Sequence, residues 1–203
     1  MARLTRQESQ QATRQKLIET AAQEISRAGI YEASIRRICD AAGYTLGAFY
    51  SNFKNKDELL LEVVALKTRQ EFDVIDNLVA VSATLGKNEV LARIAEWLQA
   101  LQKNRIFSEL LLEFEVYANH NRDFKTHYND TKRQWHAELE TALTALFKSQ
   151  GLAPKIDPYL MAVGLSALWC GLAIEGQVSK VDSAGQIITV FLEALLESSK
   201  HES

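Results

Sequence analysis

The chain has 203 residues, of which 47% are hydrophobic and 24% charged, and its 23 Lys and Arg against 26 Asp and Glu give a formal net charge of −3. A folded domain of this kind buries about 70% of its unfolded surface, which excludes intrinsic disorder and fibrous repeats. The two Cys, Cys39 and Cys170, are too far apart for a disulfide scaffold and read as small buried hydrophobes, while two Pro and nine Gly leave few breaks for an all-β fold.

The opening Met1-Ala2-Arg3-Leu4-Thr5-Arg6 has no apolar run, so neither a signal peptide nor an anchor is expected and the location follows as cytoplasmic. Leu17, Ala21, Ala22 and Ile25 share one stripe at helical spacing and predict a helix over 13–28, with Gly29 as a left-handed cap. Ser34 offers an oxygen to the open N–H groups of a second, shorter helix, buried through Ile35, Ile38 and Ala42 and stopped by Gly43. Thr45 caps a third over 46–52, with Phe49 and Phe53 pointing inward. Asn55 with Glu58 resembles a capping box and starts a fourth over 56–81.

After Gly86, helical spacing resumes in Val90, Leu91, Ile94, Leu98 and Leu101, followed by helices over 106–118 and 122–150, the latter closed by Gly151. Asp157 before Pro158 starts another, to about residue 179, because Asp caps and Pro fits the first helical position. Its stretch 158–174 is 17 residues without a charge. That is short of the roughly 20 residues of a membrane span, and Gly164, Ser166, Cys170 and Gly171 lie inside it, so a buried helix is expected. Ser183 with Gln186 opens the last helix, to about residue 198. The β-branched pairs, such as Val63-Val64, sit within helical periods, and no strand is expected. The reading is all-α, with about nine helices.

Two short helices joined by a tight Gly-containing turn and braced by a longer one form a helix-turn-helix, in which the second helix of the pair enters the DNA major groove. Here that helix is 46–52. Its N-terminal Thr45, Leu46 and Gly47 would face base edges: Thr45 bonds bases or phosphate, Leu46 packs on a thymine methyl, and Gly47 permits close approach. The net acidity speaks against nucleic acid until it is resolved along the chain. Residues 1–56 hold nine Lys or Arg and five Asp or Glu, a net of +4, and the other 147 residues hold 14 and 21, a net of −7. A basic head on an acidic body is what a phosphate-binding face requires, provided that Arg36, Arg37, Lys54 and Lys56 share one face with Tyr50.

The run Ser34-Ile-Arg-Arg-Ile-Cys-Asp-Ala-Ala-Gly43-Tyr-Thr-Leu-Gly-Ala-Phe-Tyr50-Ser-Asn-Phe53-Lys-Asn-Lys56-Asp-Glu-Leu59, with Thr13 to Ala22 and Gly29 before it, resembles the DNA-binding domain of the TetR family of bacterial transcriptional regulators. The resemblance covers about residues 13–60. It implies that Ser34 touches a phosphate as well as capping its helix, and that Thr45, Leu46 and Gly47 approach bases. It further implies that Tyr50 bonds a phosphate through its hydroxyl, that Lys56 binds another, and that Arg36 and Asn52 add contacts. Ile25 departs from a frequent Phe of the family, and Leu46 from a residue that in many members is basic or polar. Without the resemblance, Ser34 is explained as a cap, Tyr50 as a packed ring and Lys56 as a solvated charge.

The body, 57–203, is read as a larger helical bundle for ligand binding and dimerisation, distinct from the head at 1–56. The apolar 158–174 helix and the last one, with Ile188, Phe191, Leu192 and Leu195, would pair with their copies in a homodimer. Gly164, Ala167 and Gly171 would let those helices approach closely. Two reading helices would then meet successive major grooves about 34–36 Å apart. A small-molecule effector would sit among Trp97, Phe107, Phe114, Tyr117, Tyr128, Trp135 and Trp169, with Glu175 facing a cationic group. Asp123 with His127 and His136 with Glu140 have i, i+4 spacing but complete no metal motif, and no nucleophile or phosphate loop is present, so neither enzyme activity nor a cofactor is expected. The function expected is that of a ligand-released homodimeric repressor on a pseudo-palindromic operator. A DNA-organising or cell-cycle protein with the same head and no inducer is the second reading.

Overall fold

The computed structural model describes residues 5–179 and 184–201, which form nine helices. The first, α1 (Arg6–Glu32), is longer than the apolar stripe required. Thr5 and Glu8 close a reciprocal capping box at its start, and one further turn follows Gly29, whose φ of 83° and ψ of 161° break the helix without ending it. α2 (Ile35–Ala42) starts at Ser34, whose Oγ accepts from the Arg37 N–H, and ends at Gly43 in the left-handed conformation. α3 (Leu46–Tyr50) is shorter than expected; Thr45 Oγ1 accepts from the Ala48 N–H at 3.2 Å, and the chain leaves the helix at Ser51. At the start of α4 (Lys56–Ser82), Asn55 Oδ1 accepts from the Glu58 N–H, while Glu58 accepts from the Lys54 rather than the Asn55 N–H.

The later helices are α5 (Lys87–Lys103), α6 (Arg105–His120), α7 (Arg122–Ser149), α8 (Pro158–Ser179) and α9 (Ala184–Ser198). Asp157 Oδ1 accepts from the Leu160 N–H, as its place before Pro158 predicts. The cap expected at Ser183 lies outside the described residues. Two readings are corrected. Leu152–Ala153, just after Gly151 at φ 66°, pairs antiparallel with Lys200–His201, a two-residue contact between distant segments that no local pattern announces. Cys39 is buried, as expected, but Cys170 is exposed.

The chain packs as two compact units, and neither stops at residue 56. The first joins residues 1–67 to 109–128, and the second joins 68–108 to 129–203. In the first unit Leu17, Ala21, Ile25, Ile38, Phe49 and Phe53 form the core under α2 and α3. Phe49 and Phe53 pack with their rings tilted, 5.5 Å between centroids. The later half of α6 belongs here because its polar residues recur every four positions: Glu109 accepts from Ser26 Oγ at 2.6 Å, Glu113 from the Ile30 N–H at 2.8 Å, and Tyr117 donates to Asp57 at 2.7 Å.

In the second unit α9 packs against α5 and α8. Gly185 lies so close to α5 that a Cβ there would come within 3.1 Å of the Gln99 nitrogen. Ser82 Oγ meets Ser149 Oγ at 2.8 Å and the Ser82 carbonyl accepts from Gln150, which ties the end of α4 to the end of α7. No helix of the described residues is long and apolar enough to cross a membrane.

Candidate nucleic-acid interface

The turn between α2 and α3 is built from two caps and one glycine. Gly43 N–H bonds the Asp40 carbonyl, and the Tyr44 N–H bonds the Cys39 carbonyl, so the chain reverses within two residues and Thr45 starts α3 at once. Phe49, fully buried, anchors the underside of α3. Its opposite side is open: Thr45, Gly47, Leu46 at 45% and Tyr50 at 59% are exposed. The Tyr50 ring rests edge-on against Phe49 at 5.2 Å, so the side chain is supported by packing while remaining in water. Ser34 and Arg36 are exposed at the start of α2.

Arg14 was not singled out by sequence, yet it holds the end of α3 in place. Its guanidinium lies 4.3 Å over the Phe53 ring, donates to the Asn52 carbonyl at 2.6 Å and pairs with Glu62 at 2.7 Å. Gln10 adds a bond to the Ser51 carbonyl. These partners are about forty residues away in sequence, so no local spacing reveals them.

The remaining expected contacts are turned inward. Asn52 Nδ2 donates to the Ala48 carbonyl at 2.8 Å, and its buried Oδ1 has no partner among the described residues. The Lys56 ammonium donates to the Ile30 carbonyl, and burial pulls its pKa below the ordinary lysine value. Of the four cations that the charge argument needs on one face, Arg37 is paired at 2.8 Å with Glu24, a carboxyl held below its usual range by the hydrogen bond from Arg27, and Lys56 is engaged with backbone. Arg36 and Lys54 are exposed, and neither has an ion pair among the described residues.

The aromatic candidates for a ligand site are divided between the units. Phe114, 1% exposed, stacks with Phe124 and packs against Tyr128, and Tyr117 meets Phe124 edge-on at 5.0 Å, so these belong to one cluster of the first unit. Tyr117 is also bonded to Asp57 and Asn121, and burial with the Asp57 bond pushes its hydroxyl up to about 12. Trp97, Phe107, Trp135 and Trp169 lie in the second unit. Trp97 donates to Glu71 at 3.1 Å, Phe107 is buried, and Trp135 is half-buried. Trp169 is buried, with no acceptor for its indole N–H among the described residues. The side chain of Glu175 lies outside the described residues. No cluster of His, Cys, Asp or Glu that could hold a metal occurs among the described residues.

A capped short helix, a glycine turn and an open, buttressed second helix define a DNA-binding helix-turn-helix protein. Residues 17–63 match the model of bacterial regulatory proteins of the tetR family, and residues 87–197 match that of the C-terminal part of BetI-type transcriptional repressors. The chain is 30% identical over 197 residues to the transcriptional regulator SrpR of Pseudomonas putida, covering 95% of this chain and 87% of that one. It is 43% identical over 63 residues, 31% of this chain and 29% of the other, to the transcriptional regulator AcrR of Shigella flexneri. Its fold is shared with a transcriptional regulator from Saccharomonospora viridis solved in complex with choline, at a TM-score of 0.66 and 23% identity over 94% of this chain and all of that one. The chain belongs to the TetR family of transcriptional regulators.

Proposed function

We propose that this regulator is a homodimeric repressor that binds a pseudo-palindromic operator and is released by a small-molecule effector bound in its C-terminal part. The observation that carries the reading is the open face of α3, where Thr45, Leu46 and Gly47 stand in water above a buried Phe49. Residues 1–56 supply the reading head and 57–203 the effector and dimer functions, although packing draws 109–128 to the head's side. Ser34, Arg36 and Tyr50 contact phosphates, while Thr45, Leu46 and Gly47 meet base edges. Asn52 serves by holding the end of α3 through Ala48.

For the dimer, support comes from α8 and α9, which leave Leu160 at 62%, Val190 at 63% and Phe191 at 53% exposed. Leu160, Gly164, Ala167 and Gly171 are all exposed at helical spacing on α8, a flat stripe suited to a second copy of the same helix. For the effector, the buried indole N–H of Trp169, which has no acceptor among the described residues, is the best support: a buried donor without a partner costs about 1–3 kcal/mol, and a ligand acceptor would relieve it. Choline, seen bound to the Saccharomonospora neighbour, is the first compound to try. A repressor works at the chromosome, which places the chain in the cytoplasm.

The test is to select duplexes from a random-sequence library with the purified chain and to titrate the enriched duplex with wild type and with Tyr50→Phe. Enrichment of an inverted repeat, and weaker binding of Tyr50→Phe to all duplexes alike, is the expected result. No enrichment would overturn the reading.

A further inference from the structure

The bend at Gly29 takes the backbone at Ile30 out of the regular helical pattern. Gly29 has φ 83°, and Ser34 N–H, which would reach the Ile30 carbonyl in a continuing helix, bonds the Glu32 carbonyl instead. Ile30 is fully buried, away from water. Two charged side chains bond its backbone. Glu113 of α6 accepts from the Ile30 N–H at 2.8 Å, and the ammonium of Lys56, the first residue of α4, donates to the Ile30 carbonyl. The fit around Glu113 is close: a Cβ on residue 29 would stand 3.2 Å from its carboxylate oxygen, so Gly29 serves both the positive φ and the approach of α6.

We infer that Lys56 and Glu113 are positioning residues, which clamp Ile30 between α4 and α6 and so fix where α1 carries the reading head, and that Lys56 does not contact DNA. The arrangement joins three helices at one residue. α1 bears on the end of α3 through Gln10 and Arg14, so a shift of Ile30 is carried to the residues beside the reading helix. Burial, which lowers the pKa of Lys56, agrees with an ammonium committed to a carbonyl rather than standing in solvent. Neighbouring bonds from Ser26 to Glu109 and from Tyr117 to Asp57 extend the same contact along α6.

This inference rests on the chain's binding DNA, and its test separates the two. The enriched duplex is titrated with wild type, Lys56→Met, Glu113→Ala, Glu113→Gln and the Lys56→Met/Glu113→Ala double variant across a range of salt concentrations, with Arg36→Ala as the phosphate-contact reference. A lost phosphate contact reduces the slope of log affinity against log salt by about 0.9. The clamp predicts that Lys56→Met binds about tenfold more weakly at every salt concentration with the wild-type slope, a loss in the range of one charged hydrogen bond. Glu113→Ala weakens binding although it removes a negative charge, which simple electrostatics would make favourable. Glu113→Gln, still an acceptor for Ile30, keeps most of the affinity, and the double variant loses less than the product of the two single losses. Amide exchange at Ile30 speeds up in Glu113→Ala. Should Glu113→Ala fail to fold, the slope of Lys56→Met decides alone. A slope reduced in Lys56→Met as in Arg36→Ala, or Glu113→Ala binding as tightly as wild type, would overturn the clamp. A wild-type chain that retains no duplex would instead overturn the regulator reading beneath it.

Discussion

Leu46 and Tyr50 in the first packing unit, and Leu160, Val190 and Phe191 in the second, are all large side chains left in water, at 45%, 59%, 62%, 63% and 53% exposure. Their company differs. The same pair of short helices exposes hydroxyls and a cation, Ser34, Thr45 and Arg36. Around Leu160 stand Gly164, Ala167 and Gly171, in a stretch of 17 residues without a charge. A face that mixes apolar contact with polar donors suits a hydrated, charged partner, and a face of small and apolar residues suits a dry one. Exposure by itself says only that something is uncovered; the neighbours say what covers it.

The comparison is broken most severely by removing what lies beneath the first face. Phe49→Ala empties the floor of α3 and should cost about 3–5 kcal/mol of stability, with loss of DNA binding, read by urea unfolding and duplex titration. On the other face, Phe191→Ala should leave unfolding of the subunit within about 0.5 kcal/mol of wild type. Leu160→Glu with Phe191→Asp should turn a dimer into a monomer in sedimentation velocity and weaken binding to an inverted repeat far more than to a single half-site. A double variant that stays dimeric would place the dimer contact elsewhere.

Smaller changes sharpen the first face. Arg36→Ala should weaken binding to all sequences and reduce the salt slope by about 0.9, whereas Leu46→Ala should relax the preference at one base position, a change of about 1–3 kcal/mol in discrimination. Equal losses of Leu46→Ala on every duplex would make Leu46 a packing residue only.

The smallest effect expected lies in the second unit. Burial, with Lys132 nearby, pulls His136 below its ordinary pKa, and its ring meets Tyr159 of α8 edge-on at 6.0 Å. Because the folded value is the depressed one, protonation favours the unfolded chain. The contribution of His136 is therefore whole above the ordinary histidine pKa of about 6.5 and is lost as pH falls through the lower, folded value. His136→Phe should unfold at urea midpoints that fall less between about pH 7.5 and 5 than those of wild type. Parallel curves for the two chains would show that His136 plays no part.

What could be read from sequence follows from how far apart the cooperating residues lie. Ser34, Gly43, Thr45, Asn55 and Asp157 act on backbone within four residues, and each does in the structure what its position predicts, whereas Glu58 turns its carboxylate to the Lys54 N–H instead of closing the box on Asn55. Thr5 and Glu8 form an equally local capping box, but it lies about three turns ahead of the apolar stripe, which begins only at Leu17. The clamp on Ile30, the Arg14 contacts and the pairing of Leu152–Ala153 join segments from about 26 to about 80 residues apart, and nothing in a helical period encodes such a partner. The aromatics show the same limit. The sequence offers Phe114 and Trp169 alike as candidates for a ligand site, and only packing distinguishes Phe114, stacked on Phe124, from Trp169, whose N–H has no acceptor among the described residues. The charge balance changes meaning too: residues 1–56 carry +4, yet Arg37 and Lys56 are engaged internally, so the outward excess near α3 rests on Arg36 and Lys54.

The central claim, that the open face of α3 reads DNA, is tested most directly by comparing the duplexes enriched by wild type with those enriched by a Thr45→Ala/Leu46→Ala variant of matched stability. The account predicts an inverted repeat for wild type, with half-sites about one helical turn apart or a multiple of it, and a changed or degenerate sequence at the positions under α3 for the variant. The same consensus from both chains would contradict it.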